Sequence, residues 1–466
     1  MQKIFDEVGT LDARCYEELF LSEDILMEHA AQGMASYIKN NFSNDKKIII
    51  ATGSGNNGAD GITLARLLHG NYNVSLFFIK KPKSPMALLQ EKRAHALHVP
   101  VIHKLQECDI IVDAIVGTGF DGEFNNDISA VLEQMNALRA FKIACDVPSG
   151  LKKSGECAQT TFHADITLTM GALKKSLFLD EAKDFTGKTK VLDLGISRKF
   201  YETQTNWQLL DLDDLELPTR GQQNSHKGSF GHLAVLCGEK QGASIMSALG
   251  ALKFGAGLVT LVGYENHQVL HIPHALMYAH TLPENTTAIA CGMGLGTEFS
   301  DDKLKGLLKN KLPLIVDADL FNMSIILKLL KRKNIVLTPH PKEFVSLLKI
   351  TKLADIDVKE LQKKRFEYVE LFCNAYPNAT LLLKGANVMI GLENNFFINP
   401  HGSAKLAKGG SGDVLSGLIG SLLAQGRSPL DAAIHGSLAH TKLAQNYNGA
   451  DFSLTPDDLI QGIGNL

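Results

Sequence analysis

Asp413 closes the run KGGSGD (408–413), and an apolar stretch at helical spacing, VLSGLIGSLLAQG, follows it directly. A glycine-rich turn that opens a helix leaves several backbone N–H groups unpaired and pointing forward, which attracts phosphate. An acid beside such an anion site has two readings. As an N-cap, Asp413 would stabilise its helix by about 1 kcal/mol and say nothing of the rest of the chain. As a base, it would take a proton from an acceptor hydroxyl while the N–H groups at 410–412 stabilise a moving phosphoryl group. The two roles are geometrically compatible. The second requires a nucleotide site, and other segments offer its parts: KGANVMI (384–390), a strand–turn–strand with a lysine; ACGMGLG (290–296), a glycine loop after an apolar run; TPHPKEF (338–344), with His340 between two prolines; and QGASIMSALGALKFGAG (241–257), a helix opened by small residues.

The first half carries a second constellation. TGSGNNGADGITLAR (52–66) reads as a glycine loop between a strand and a helix, without the Gly-Lys-Ser/Thr of a Walker loop. Alone it is equally well a tight turn with Asn and Asp as local turn formers. DAIVGTGFDGEF (113–124) adds Asp113 and a second glycine loop, and DVPSG (146–150) adds Asp146 and Ser149 after a Pro-fixed turn. Together they place carboxylates, an Asn pair and two glycine loops on one edge of one sheet, the convergence an active site needs.

The elements that must position these residues alternate between short β-branched runs and amphipathic stretches, the mark of parallel α/β layers. Strands are expected at 46–51, 73–79, 109–116, 141–147, 164–170 and 190–194. In the second half they are expected at 232–237, 258–262, 288–291, 313–318, 334–338, 380–385 and 388–390. A helical pattern covers about 10–40. A polar, acidic stretch around 200–212 interrupts the rhythm and separates two domains of similar class, 1–205 and 212–466. In open α/β sheets, ligands bind at the carboxyl ends of the strands, where the segments above fall.

At 466 residues the chain is too long for one ordinary core. Its 45% hydrophobic and 21% charged residues are those of a globular protein, and a net charge of −3 gives no footing for a nucleic-acid partner. No run of about 18 apolar residues suggests a membrane span, and the start does not read as a secretory signal. Seven scattered cysteines without a C-x-x-C pair point to reduced thiols and a cytoplasmic location.

The combination GNNG-x-DG, D-A-x-x-GTGF-x-GE and D-V-PSG, with LMEHAAQGMA (26–35), resembles the YjeF N-terminal domain, the NAD(P)H-hydrate epimerase family, over roughly residues 1–200. The resemblance implies a Rossmann-like fold and epimerisation at C6 of the hydrated nicotinamide ring of NADHX or NADPHX. It implies that Asn56, Asn57, Gly58, Ala59 and Asp60, with Gly117, Thr118, Gly119, Phe120, Asp121, Gly122 and Glu123, embrace the substrate. Asp146 would touch it and move a proton to or from the hydrate oxygen. Potassium would sit on Asn57, Asp113 and Ser149, hard oxygen ligands for a hard cation. Ala59 stands where the family usually has glycine, and a positive φ there would strain it.

The GGSGD order near the C-terminus resembles the ribokinase-like α/β/α superfamily. Within it, NSHKGSFGHLAVLCG (224–238), TPHPKEF and GGSGDVLSG match the ADP/ATP-dependent NAD(P)HX dehydratase, over roughly 212–466. The resemblance implies that Ala243, Gly294, His340 and Asp413 hold the hydrate. Lys384, Gly385, Ala386, Asn387 and Val388, with Gly410, Ser411 and Gly412, would hold the adenine nucleotide. The expected co-substrate is ADP, giving AMP and phosphate, with Mg2+ a candidate ion in the same site and a homo-oligomer the expected assembly. Lys342 and Lys408 stand where the family more often shows a small or hydroxyl residue.

Other features carry less. His267 and His271 have the i, i+4 spacing of a metal pair, but Pro273 follows and no Cys or carboxylate cluster accompanies them or His274 and His280. LQKKRFEYVELF (361–372) reads as an amphipathic helix with a solvated charged face. Two rival functions are an ATP-dependent small-alcohol kinase behind a non-catalytic Rossmann-like domain, and a ligand- or RNA-sensing module. The first leaves the first-half motifs unused. The second predicts loss of Asp60, Asp113 and Asp146, which are present.

Overall fold

A computed structural model describes residues 1–466 except 264–270, 297, 298 and 300. The chain divides into two compact units, Gln2–Thr205 and Asn206–Leu466.

The first unit holds a seven-stranded parallel sheet. Its order is Val101–Ile102, Asn73–Phe78, Lys47–Thr52, Ile110–Ala114, Phe141–Cys145, Ile166–Met170 and Lys188–Leu192. Ile48 and Ile50 join one apolar cluster and Ile49 and Ala51 another, so the central strand is buried on both faces. That is why it reads as a continuous apolar run. Helices Glu23–Asn41 and Asn56–Leu68 contribute Met34 and Leu64 to the first cluster, and helix Asn126–Ala137 contributes Leu132 to the second. The chain builds outward from Lys47–Thr52, then returns to lay Ile110–Ala114 on its other side. The crevice of an open α/β sheet lies at such a reversal, here between the loops at 53–56 and 115–123. The helical pattern at 10–40 is two helices, Gly9–Glu17 and Glu23–Asn41.

The second unit repeats the plan with ten strands among its described residues. Seven run parallel: Met277–Ala279, Leu258–Val262, His232–Leu236, Ala288–Cys291, Leu314–Val316, Ile335–Leu337 and Ala379–Leu383. Val388–Leu392 and Asn395–Asn399 continue as an antiparallel meander, and Trp207–Leu209 pairs in parallel with the last. Its reversal lies between His232–Leu236 and Ala288–Cys291. Helix Ser411–Ala424 is buried almost all round and lies against helix Gln241–Lys253, where a Cβ on Gly417 would meet the Ser247 carbonyl at 2.2 Å.

The polar seam is not the featureless stretch its composition suggests. Trp207 is 2% exposed, stacks on Phe396 at 4.8 Å, meets Phe366 edge-on at 4.7 Å and donates from Nε1 to Glu370 at 2.6 Å. The expected helix at 361–372 is likewise two helices, Val358–Lys363 and Arg365–Ala375, meeting at Lys364. No helix among the described residues is long and apolar enough to cross a membrane.

Candidate active sites

In the first unit, Gly55 caps helix Asn56–Leu68, which begins right after the end of Lys47–Thr52. Gly58 must be glycine, since a Cβ would stand 2.2 Å from the Gly53 carbonyl. Ala59 belongs to the helix, and its φ is not positive. Its methyl packs with Met27, Met86 and Ala87, so the expected strain is absent. Asn56 donates to Glu23 at 2.6 Å.

Asp113 is fully buried on the neighbouring strand. It accepts from Ser149 N at 2.7 Å, Ser149 Oγ at 2.6 Å and Ile115 N at 3.1 Å, which ties the Pro148 turn to the central strands. Burial outweighs these bonds and lifts its carboxyl to about 6. Asn57 Nδ2 is buried with no partner, and the missing Cβ of Gly117 would lie 3.4 Å from the Asn57 Cβ. The orphaned Nδ2 is an N–H donor and does not ligate a cation; the oxygens of suitable chemistry for potassium are Asn57 Oδ1, the Asp113 carboxylate and Ser149 Oγ. Among the described residues no group of three or more His, Cys, Asp or Glu is placed to hold a metal. His271, His274 and His280 are exposed, and His267 lies outside the described residues.

Asp146 follows its strand in a left-handed backbone, φ 69°. Its Oδ1 accepts from Lys174 Nζ at 2.5 Å, Met170 N at 3.0 Å and Thr169 Oγ1 at 3.3 Å. Asp60 is buried, and the loss of water, with Asp146, Asp12 and Glu23 nearby, holds its carboxyl well above the usual range. Asp60 and Asp146 thus lie near enough for the charge of one to act on the other. Loop 117–123 is half-buried to exposed: Phe120 stacks on Phe124 at 4.3 Å, and Glu123 accepts from Lys152 at 2.9 Å and Gln159 N at 2.8 Å. Thr118, Gly119, Asp121 and Gly122 complete that loop, with Gly122 at φ 131°.

In the second unit, Gly410 caps helix Ser411–Ala424 with a left-handed backbone, φ 90°. Asp413 is therefore the third helical residue, not the N-cap, and its side chain makes no cap bond. Its carboxylate accepts no hydrogen bond from the described residues, and burial, with Asp317 adding to it and Lys384 opposing, lifts it to about 6. A Cβ on Gly412 would stand 3.3 Å from the Lys384 ammonium, so lysine and helix N-terminus face one space. Ser411 Oγ pairs with the buried His440 Nε2 at 3.0 Å; burial lowers that imidazole to about 4 and keeps it neutral.

Lys384 donates to Asp317 Oδ1 at 2.7 Å, while Asp317 Oδ2 accepts from Ser416 at 2.7 Å. Asp317 is 2% exposed and joins the strand Leu314–Val316 to the Asp413 helix. Its sequence signal, an acid ending an apolar run, is the one that picks out Asp113 and Asp146. Arg365, expected on a solvated face, is fully buried and donates to the carbonyls of Lys384 at 3.3 Å and Asn387 at 3.1 Å. It braces the turn that carries Gly385, Ala386 and Val388, and nothing in its basic surroundings marks it out.

His340 caps helix Pro341–Ile350, its Nδ1 accepting from Lys342 N at 3.1 Å and Glu343 N at 3.2 Å. Burial and the Lys384 charge lower its pKa, while burial lifts the Glu343 carboxyl to about 7. Gly294, φ 63°, lies against helix Gln241–Lys253: a Cβ would stand 3.1 Å from that of Ala243. Lys408 donates to the Phe452 carbonyl at 2.7 Å.

A family model described as "YjeF-related protein N-terminus" matches residues 23–176, and one described as "NAD(P)H-hydrate dehydratase" matches 233–464. The "Bifunctional NAD(P)H-hydrate repair enzyme Nnr" of Helicobacter pylori is 42% identical over 474 residues, covering 100% of both chains. That of Escherichia coli is 31% identical and covers 93% of this chain and 87% of its own. Among solved structures, an ADP/ATP-dependent NAD(P)H-hydrate dehydratase from Bacillus subtilis aligns at 29% identity and TM-score 0.46, covering 53% of this chain and 92% of that one.

Proposed function

The chain belongs to the family of bifunctional NAD(P)H-hydrate repair enzymes, and on that premise we propose that its first unit epimerises (R)- and (S)-NAD(P)HX and its second dehydrates the S form. The observation that carries the second activity is the Asp413 carboxylate: free of hydrogen bonds among the described residues, lifted to about 6, and set beside a helix N-terminus and a lysine.

The hydrate carries a hydroxyl on C6, next to the ring nitrogen. In the first unit, loss of that hydroxyl as water leaves a cation shared with the nitrogen, and water returning to the other face gives the other epimer. Asp60, whose carboxyl burial pushes upward, would offer an O–H to the departing oxygen. Asp146 Oδ2, which takes no hydrogen bond from the described residues, moves the proton of the returning water. Asn57, Asp113 and Ser149 would hold potassium, whose charge offsets the carboxylates of the cleft.

In the second unit, Gly410–Gly412 and Lys384 hold the phosphates of ADP. Asp413 removes the C6 hydroxyl proton as that oxygen attacks the β-phosphorus, and AMP leaves. The phosphate ester at C6 is a better leaving group than hydroxide. Its elimination with the proton on C5 restores the ring double bond and yields phosphate. Ala243, Gly294 and His340 border the hydrate, and Lys384 to Val388 the nucleotide. Mg2+, when bound with the nucleotide, would offset phosphate charge and need only one or two carboxylates; Asp319, whose charge acts on Asp413, is the candidate. A cytoplasmic location accords with the seven free cysteines, and a homo-oligomer, the remaining part of this reading, is open to sedimentation.

The test is to supply the pure protein with mixed R- and S-NADHX and ADP and follow the absorbance of reduced nicotinamide. Full recovery of NADH supports both activities. Recovery that stops with the R epimer left over counts against the epimerase. No recovery with ADP or ATP would favour the small-alcohol kinase, a reading that leaves Asp60, Asp113 and Asp146 without a task.

A further inference from the structure

Lys174 is the most deeply buried cation of the first unit's cleft, with its side chain 1% exposed. It sits where strand Leu173–Lys174 pairs in parallel with Gln2–Phe5, in register with Phe5. Its neighbour Lys175 reaches Asp6 at 2.7 Å, an acid 79% exposed. The Lys174 ammonium instead donates to Asp146 Oδ1 at 2.5 Å, Thr169 Oγ1 at 2.7 Å and the Met170 carbonyl at 3.3 Å. Three protons meet three acceptors, so the ammonium has none left for a substrate.

Burying a lysine in an ion pair is weak evidence for stability, because apolar residues of the same volume often do as well or better. Asp146 carries a second cost at the same spot, a left-handed backbone that non-glycine residues rarely adopt. All three bonds to Asp146 fall on Oδ1, from Lys174, Met170 N and Thr169. Oδ2 takes none from the described residues. Lys174 also acts on Asp60 against the carboxylates of Asp146, Asp12 and Glu23. Two unfavourable features therefore meet on one side chain and fix its orientation.

We propose that Lys174 is the positioning residue of the epimerase unit: it grips Oδ1 of Asp146, with Thr169, so that Oδ2 is presented to the hydrate. This rests on the epimerase reading of that unit. Because Lys174 works through Asp146, its loss and the loss of Asp146 should not multiply.

The experiment is a double-mutant cycle on the full chain with R-NADHX as substrate and the R/S ratio read by chromatography. If wild type does not interconvert the epimers, the epimerase reading itself falls. If wild type does so and Lys174→Met keeps its kcat, only the inference is overturned. The expected result is a ~100-fold lower kcat, the scale of a misplaced reacting group, with KM changed less than about twofold. Lys174→Met combined with Asp146→Asn should be no slower than Asp146→Asn alone. Losses that multiply would show Lys174 acting independently of Asp146 and overturn the proposal. Should Lys174→Met fail to fold, Thr169→Val decides, since valine keeps the shape and removes the hydroxyl that both Lys174 and Asp146 use. It should lower kcat about fivefold, the worth of one hydrogen bond, and do nothing further in the Asp146→Asn background. An unchanged kcat there overturns the proposal.

Discussion

Lys174 and Lys384 each meet an aspartate at the carboxyl edge of their own sheet, Lys174 on the half-buried Asp146 at 2.5 Å and Lys384 on the buried Asp317 at 2.7 Å. The pairs treat the reactive group differently. In the first unit the lysine grips the carboxylate that faces the chemistry. In the second it is gripped by a different aspartate, and Asp413 stands outside the pair. The difference follows from the tasks. On the proposed mechanism, a group that takes the proton of a water arriving at one face of the ring needs a fixed direction. A group that must take one proton from a hydroxyl needs proton affinity close to working pH, which burial and the nearby charge of Asp317 provide.

The contrast breaks most sharply at Asp413. Asp413→Asn removes the base without touching a cap, since the side chain caps nothing. NADH formation from S-NADHX should fall about 1,000-fold, within the span of general-base effects. R/S interconversion should persist, as it belongs to the other unit; loss of both activities would mean that the units do not work separately.

Next comes Asp317. Asp317→Asn leaves Lys384 facing its site without a counter-charge and should cost the second unit about 3 kcal/mol in urea unfolding, the low end for a broken buried pair. It also sharpens the comparison through pH. If Asp413 is the proposed base it works ionised, so the wild-type dehydratase rate should fall on the acid side of about 6. Asp317 raises the Asp413 carboxyl and Lys384 lowers it, so removing the Asp317 charge should move that acid limb to lower pH. A limb that stays put would show that another group titrates.

Potassium tests the first unit. Asp113, lifted to about 6 by burial, binds its proton more tightly folded than unfolded. Its contribution to stability is present at low pH and declines as pH rises from about 4, the unfolded value, through about 6. A cation on Asn57, Asp113 and Ser149 should offset that decline. Above pH 6, potassium at about ten times its Kd should stabilise the first unit by about 1.4 kcal/mol, and Asn57→Ala should abolish the gain. Equal melting with and without the ion would remove it from the site.

The smallest effect belongs to Ala59. Ala59→Gly should cost about 1 kcal/mol, as glycine does inside a helix, with no gain in epimerase rate. A faster glycine variant would mean that the helix start must open further than the structure shows.

Much of this was legible before any coordinates. IIVDA and KIIIAT announce strands because both faces of a covered parallel sheet are apolar. The strand-end rule then places Asp113, Asp146 and the glycine loops. It applies equally to IVDAD, so Asp317 is readable by the same logic. Other residues are not. In GALKKS, nothing in residue type separates the buried Lys174 from the half-buried Lys175; the parallel partner Gln2–Phe5, far away in sequence, decides it. Arg365 hides in a basic run because its partners are carbonyls, which every sequence carries everywhere. Asp413 looks like a cap because the cap position depends on the φ of Gly410, a torsion that composition does not encode. Strands of three residues, such as Trp207–Leu209, are too short to show a period.

That short strand has an optical consequence. Trp207 is the chain's one tryptophan, sealed between Phe366 and Phe396 and bonded to Glu370. Its indole emission is an intrinsic reporter on the dehydratase unit and is silent about the epimerase unit. Denaturation followed by tryptophan fluorescence alongside far-ultraviolet dichroism should therefore resolve the two units' melting without a label or a truncation.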